Sequence, residues 1–190
     1  MAYNNSRPDS ERRRTLSVLV DNKPGVLSQV ARLFTRSGYN IESFSAGTTI
    51  DVDQTRLTIE VIADDNHTDL MVAQLNKMVP VHSVKLLTAE HTIRRELVLF
   101  KVHAASSDVR NEIIQIANIF RGSVIDVSRE TLTISVIGDE KKIDAVRDIL
   151  EGFGIIELAR TGMIALERGK YTIHDETKEK GEFNYGKNVL

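Results

Sequence analysis

The order of its predicted elements constrains the fold of this 190-residue chain more than any other feature. In the first half, the spacing of apolar residues predicts strands at 15–20, 41–48, 55–62 and 83–88, and helices at 25–37 and 67–78. In the second half it predicts strands at 96–103, 123–128, 131–137 and near 155–166, and helices at 108–120 and 139–152. The fold expected from this repeated order is α+β, with two tandem ferredoxin-like βαββαβ domains whose helices cover one face of each sheet.

The domain boundaries follow from the local composition and from the pattern of apolar residues. We expect a flexible N-terminal extension over residues 1–13, a first domain over 14–90, a second domain over 91–168 and a flexible tail over 169–190, which is rich in Lys, Glu, Gly and Asn. A polar stretch from Thr88 to Arg95 is expected to connect the domains, and the run Arg12 to Arg14 to be a solvated end. A weak match of Phe34, Gly38 and Ile41 to residues 120, 122 and 125 agrees with a duplication, which rests mainly on element order.

Composition excludes several classes of function. The apolar content of 41% and charged content of 27% indicate a soluble chain with a packed core, and a net charge of −2 argues against nucleic acid or an anionic membrane as the main partner. No apolar run has the length of a membrane span, and residues 1–14 lack the apolar stretch of a signal peptide. There is no cysteine, so thiol chemistry is excluded and a cytoplasmic location is the simplest expectation.

The run from Asp21 to Leu27 lies between the first strand and the first helix. Pro24 and Gly25 fall in the first helical turn, where a proline loses no hydrogen bond and a glycine lets a ligand approach backbone N–H groups. Such a helix start can bind an anion, for example an amino-acid carboxylate. A strand, a Pro-Gly turn and a helix are also an ordinary connection. This run alone is therefore compatible with either a ligand site or a purely structural turn.

A second feature favours a ligand site. Gly38 is predicted to end the helix, and Asn40 to open the next strand with an amide that both donates and accepts. Asn22 and Asn40 are expected to flank the same end of the unit and to bind the ammonium and carboxylate groups of one ligand. The corresponding region of the second half, residues 103–108, has only Ser and Asp helix caps, so the ligand chemistry is assigned to the first half.

Neither a catalytic nor a metal site is predicted. The five histidines lie in different elements and form no HxxxH or HExxH pattern. The sequence contains no GxSxG, Walker or GxGxxG motif, and its carboxylates at residues 51, 53, 64 and 65 lie in polar connections where solvation explains them.

The segments Leu16 to Leu27 and Arg36 to Ser43 resemble the ACT domain, a βαββαβ amino-acid-sensing module, as it occurs in the small regulatory subunit of acetolactate synthase (acetohydroxyacid synthase). The segments Phe120-Arg-Gly-Ser-Val-Ile-Asp-Val127 and Ala159-Arg-Thr-Gly162 are similar to the carboxy-terminal domain of that family. The resemblance covers about residues 13 to 168.

The resemblance implies a non-catalytic chain that activates a large catalytic subunit and confers feedback inhibition by valine in branched-chain amino acid biosynthesis. It places thiamine diphosphate, magnesium and FAD on that partner and no cofactor on this chain. It implies a homodimer through the ACT domain, with the effector between the ACT domains of two subunits. The implied effector-binding residues are Asn22, Gly25, Val26, Leu27, Ser28, Asn40 and Ile41.

The sequence leaves the preferred effector and two alternative functions open. The bulk of Val26 leaves the preference among valine, leucine and isoleucine undecided. The alternatives are a free-standing ACT-domain amino-acid sensor or regulator, for which no DNA-binding unit is visible, and an enzyme in its own right, for which no catalytic constellation is visible.

Overall fold

The computed structural model describes residues 12–175. The first domain comprises β1 (Arg12–Asp21), α1 (Val26–Arg36), β2 (Ile41–Thr48), β3 (Gln54–Ala63), α2 (Asp65–Asn76) and β4 (Val81–Leu87). Its four strands form an antiparallel sheet in the order β2-β3-β1-β4. The predicted ferredoxin-like order is confirmed for this half.

A short 3-10 turn (Ala89–His91) leads into the second domain. That domain comprises β5 (Thr92–His103), α3 (Ser107–Ile119), β6 (Ser123–Val127), β7 (Thr131–Gly138), α4 (Glu140–Glu151), β8 (Ile155–Arg160) and β9 (Ile164–Glu167). The sheet order is β6-β7-β5-β8, and β9 pairs with β5 outside this path. The second βαββαβ unit is therefore also confirmed, with one additional strand.

Helix α1 shows how local sequence sets these elements. Val26, Val30 and Phe34 recur at a spacing of four and are all buried against the first sheet. The helix ends in a Schellman motif: Gly38 has a φ of 75°, its N–H donates to Thr35 O at 3.2 Å, and Tyr39 N–H donates to Phe34 O at 3.1 Å. The predicted role of Gly38 in ending this helix is confirmed.

The predicted last strand near 155–166 is wrong as a single element. It divides into β8 and β9 at residues 161–163, where Gly162 adopts a φ of 78°. Strand β8 pairs with the second half of β5 and β9 with its first half, over Thr92 to Arg95. The polar connection predicted over residues 88–95 is accordingly a strand from Thr92 onward.

The helix-free face of the first sheet is covered by one face of the ribbon that β9 forms with the first half of β5. Thr15, Ser17, Thr58, Glu60 and Lys85 lie on this face and are each less than 5% exposed. The first half of β5 together with β9 covers them through ion pairs of Arg94 with Glu60 and of Lys85 with Glu167. The polar face of the first sheet thus packs on the side of the ribbon that carries Arg94 and Glu167, and the two domains meet through paired charges.

Two expectations for the chain ends need correction. Arg13 and Arg14 belong to β1 and form ion pairs, Arg13 with Glu60 at 3.2 Å and Arg14 with Asp65, so they are not a solvated extension. The flexible tail predicted from residue 169 does not describe residues 169–175, because Ile173 is 6% exposed and its carbonyl accepts from Ser83 Oγ at 2.7 Å. The predicted flexibility of residues 1–11 and 176–190 lies outside the described residues.

Candidate functional site

The start of α1 is open and uncapped. Gly25 occupies the N-cap position with a φ of 86°, and a Cβ built on it would meet no atom within 4 Å. Among residues 12–175, no side chain caps this helix, no acidic residue lies in its first turn, and no acceptor takes the amides of Leu27 and Ser28. In contrast, α2, α3 and α4 are capped by Asp64, Ser106 and Asp139. The partial positive charge at the start of α1 is therefore available to an anion.

The predicted contact residues at this helix start differ in what they can offer. The Val26 side chain is 4% exposed and lies in the core, and its amide already donates to Lys23 O at 3.3 Å. Leu27 is 42% exposed and Ser28 is exposed. The side chains that can contact a ligand here are those of Leu27 and Ser28, whereas the Val26 side chain is buried in the core.

Asn22 is held beside the same helix start by the loop between β2 and β3. Its Nδ2 donates to Val52 O at 2.8 Å, and its backbone N–H donates to Asp53 O at 2.7 Å. The amide nitrogen is thus occupied, while the amide oxygen can still accept a hydrogen bond.

A charged cluster borders Asn22. Asp21 accepts from Lys23 Nζ at 2.9 Å, and its other oxygen lies 2.6 Å from His82 Nε2. Lys23 first and His82 second hold the pKa of the Asp21 carboxyl below its ordinary value, and Asp21 raises the pKa of the Lys23 ammonium group. Lys23 is therefore engaged by Asp21 beside the helix start.

Asn40 and Ile41 lie at the opposite end of α1. Ile41 pairs with Val61, near the start of β1, whereas Asp21 at the end of β1 pairs with Gln54. Seven residues of strand separate these positions on β3, which corresponds to about 24 Å. The prediction that Asn22 and Asn40 flank the same end of the unit is wrong, because α1 carries the chain back along the sheet before β2 begins.

The second predicted asparagine has a local partner. Asn40 is exposed, and its Nδ2 donates to Glu42 Oε1 at 3.1 Å. One chain thus brings Asn22, Gly25, Leu27 and Ser28 together at the start of α1. Asn40 and Ile41 lie at the opposite end of this helix.

A cavity of about 390 Å³ between the domains was not predicted from the sequence. Its charged lining is largely paired internally, since Arg13 bonds Glu60 and Glu140 and Arg160 bonds Glu96. The Glu96 carboxylate raises the pKa of the Arg160 guanidinium. The signal for this junction in the sequence is Glu60, a carboxylate between the buried residues Ile59 and Val61, at a position facing away from the core.

Among residues 12–175, no group of three or more metal-ligating side chains comes together. No helix in this range is both long and apolar enough to span a membrane.

Comparisons with known proteins cover both domains. A family model described as the AHAS small subunit-like ACT domain matches residues 16–83, and one described as the small subunit of acetolactate synthase matches residues 95–169.

Full-length relatives agree with these matches. A probable acetolactate synthase small subunit of Methanothermobacter thermautotrophicus is 48% identical over 83% of this chain and 94% of its own length. The acetolactate synthase small subunit of Aquifex aeolicus is 43% identical over 91% of this chain and 90% of its own length. The crystal structure of the acetolactate synthase small subunit from Thermotoga maritima superposes with a TM-score of 0.78 at 38% identity, covering 84% of this chain and 99% of that one.

Proposed function

Because this chain belongs to the family of acetolactate synthase small subunits, we propose that it is the regulatory subunit of an acetolactate synthase and acts on a separate catalytic subunit. The observation that carries the proposal is the match of both domains, in the same order, to relatives of nearly the same length. In this proposal the partner binds thiamine diphosphate, magnesium and FAD, and this chain raises its turnover without a catalytic residue of its own.

The proposed effector is valine or another branched-chain amino acid, bound at the start of α1. The unpaired amides of Leu27 and Ser28 suit a carboxylate, because the helix dipole and the absence of an acidic first turn favour an anion there. The Asn22 oxygen suits the ammonium group, since its Nδ2 is bound to Val52 O. The exposed Leu27 suits an aliphatic side chain.

Asn40 and Ile41 belong to this proposal only through a second copy of the chain. A single amino acid cannot span the distance of about 24 Å between the two groups of residues within one domain. Strand β2 is an edge of the first sheet, so its outer hydrogen-bonding groups are available for pairing through a two-fold axis. We therefore propose a homodimer through the first domain in which Asn22 and Gly25 of one subunit face Asn40 and Ile41 of the other.

Reconstitution tests the regulatory role. The isolated chain, supplied with pyruvate, thiamine diphosphate, magnesium and FAD, should form no acetolactate, and adding it to the purified catalytic subunit should raise turnover. Acetolactate formation by this chain alone, free of catalytic subunit, would contradict the proposal.

Mixed dimers test the shared effector site. Gly25→Asp places a carboxylate where the effector carboxylate binds, and Asn40→Ala removes the other half of the site, so either homodimer should lose valine inhibition. A heterodimer of the two variants, isolated with two affinity tags, keeps one site with both halves intact and should recover part of the inhibition. A site within one chain predicts no recovery.

The control for this test addresses backbone strain. Gly169 also has a left-handed φ, of 72°, with no atom within 4 Å of a built Cβ, so Gly169→Asp carries similar strain outside the proposed site. At saturating small subunit, Gly169→Asp should keep wild-type valine inhibition. If Gly169→Asp also lost valine inhibition, backbone strain and not the added carboxylate would account for the Gly25→Asp result.

A further inference from the structure

Strand β5 has one face that the described chain leaves partly exposed. Its even-numbered residues are directed inward, with Glu96 and Val98 both buried, whereas Ile93 is 41% exposed and Leu97 and Leu99 are only half-buried. Because side chains alternate along a strand, these three apolar residues lie on one face of β5 over residues 93–99, and Lys101 and His103 continue that face with polar side chains.

Neighbouring strands extend this apolar face on both sides. Leu166 lies opposite Ile93 on β9, and Ile137 lies opposite Leu97 on β7. Leu166, Ile137 and Ile164 are 56%, 58% and 57% exposed. We call the set Ile93, Leu97, Leu99, Ile137, Ile164 and Leu166 the β5 stripe.

The stripe joins apolar residues of three paired strands, whereas Ile125 and Val127 on β6 and Ile156 and Leu158 on β8 form smaller exposed groups on single strands. Ile50 lies between β2 and β3, Val79 in the turn before β4, and Ile119 at the end of α3, each on a separate element. Single exposed apolar residues are normal on a protein surface, whereas a contiguous apolar patch marks an interaction site.

Two arginines flank the stripe without a carboxylate partner among residues 12–175. Arg95 lies on β5 between Ile93 and Leu97, opposite Ile164, and Arg168 follows β9 two positions after Leu166. Both are exposed, and neither forms an ion pair with a described residue. By contrast, Arg13, Arg94 and Arg160 are each paired with a buried glutamate.

We propose that the β5 stripe is the surface that docks the catalytic subunit, through an apolar patch of that subunit bearing carboxylates opposite Arg95 and Arg168. This rests on the proposed function. An apolar centre with arginine and few other charges is the usual composition of a protein interface core. A second copy packed face to face about the middle of the stripe would bring Arg95 close to its own equivalent while removing both from water, which is unfavourable.

The position of the stripe also fits regulation. The opposite face of the β5–β9 ribbon contacts the first sheet through the pairs of Arg94 with Glu60 and of Lys85 with Glu167. A catalytic subunit bound to the stripe would thus contact the element that lies directly behind the first domain. A movement of the first domain relative to the first domain of the second subunit would be transmitted to the catalytic subunit through this ribbon.

Matched variants test the assignment. Ile164→Glu and Arg95→Glu should each raise the concentration of small subunit needed for half-maximal activation of the catalytic subunit by roughly tenfold or more, because each places a carboxylate in the interface. Ile119→Glu makes the same chemical change at a residue that is 75% exposed and outside the stripe, and should stay within about twofold of wild type. Direct binding to immobilised catalytic subunit and sedimentation of each variant alone complete the measurement.

The outcomes separate the two proposals. If the wild-type chain neither binds nor activates the catalytic subunit, the proposed function fails and the docking assignment with it. If the wild type binds and both stripe variants bind equally well, only the docking assignment is overturned. If the variants change the self-association of the chain and leave its affinity for the catalytic subunit unchanged, the stripe belongs to a second copy, and the assignment is likewise overturned.

Discussion

Replacing Glu60 with glutamine probes the charged junction between the domains. Glu60 is 2% exposed and accepts from Arg13 Nη1 at 3.2 Å, from Thr15 Oγ1 at 3.1 Å and from Arg94. Glutamine has almost the same volume, so no cavity forms. The substitution removes the charge and one acceptor oxygen, and leaves two guanidinium groups beside a neutral amide.

The size of the change in unfolding free energy follows from how far the paired side chains are buried. Breaking a fully buried ion pair from one side costs about 3–5 kcal/mol. Here the side chains of Arg13 and Arg94 are 34% and 22% exposed, so each keeps part of its hydration. We therefore expect Glu60→Gln to lower the free energy of unfolding by about 2–3 kcal/mol.

Urea unfolding at neutral pH measures this effect against a matched control. Glu157 is 68% exposed and pairs with Lys101, which is 42% exposed, so Glu157→Gln should cost less than about 1 kcal/mol. If the two variants unfold with free energies within about 0.5 kcal/mol of each other, the Glu60 cluster does not stabilise the domain junction.

Two further predictions concern the domain junction and pH. Gly162→Ala should destabilise the chain more than Gly38→Ala. Both glycines have a left-handed φ, but of the two only Gly162 has a position where a Cβ would lie 2.8 Å from a backbone oxygen, that of Phe44. Equal urea midpoints of the two variants would contradict this contact. The pKa of Asp21 is lowered in the fold, chiefly by Lys23, so its stabilisation is present above the ordinary pKa and lost as the pH falls below about 4. Asp21→Asn should flatten the acid side of the stability–pH profile, and an unchanged profile would refute the role.

Local sequence determined the elements and the chemistry of the α1 start. The spacing of Val26, Val30 and Phe34 predicts α1, and Gly38 ends it, because helix formation and capping depend on residues at most five or six apart. The open turn at Gly25 is likewise a local feature, predicted from a Pro-Gly pair at a helix start. The repeated order of such elements was enough to predict both domains.

Tertiary structure alone decided which of these elements meet. Thr92 to Arg95 appear as a polar connection in the sequence, yet they form a strand because the face they cover, with Glu60 and Lys85, is itself polar. Apolar periodicity detects burial against an apolar core and gives no signal when charges pair with charges.

Distance within the fold is the other property that the sequence left undetermined. Asn22 and Asn40 are 18 positions apart in the chain, and their separation in space depends on the direction in which α1 and β2 run along the sheet. That direction is fixed by the pairing of β1 and β2 with β3, and the residues that pair β1 with β3, from Asp21 with Gln54 to Arg12 with Ala63, are 33 to 51 positions apart. The helix start could therefore be identified from the sequence, but the separation of the two asparagines required the sheet topology.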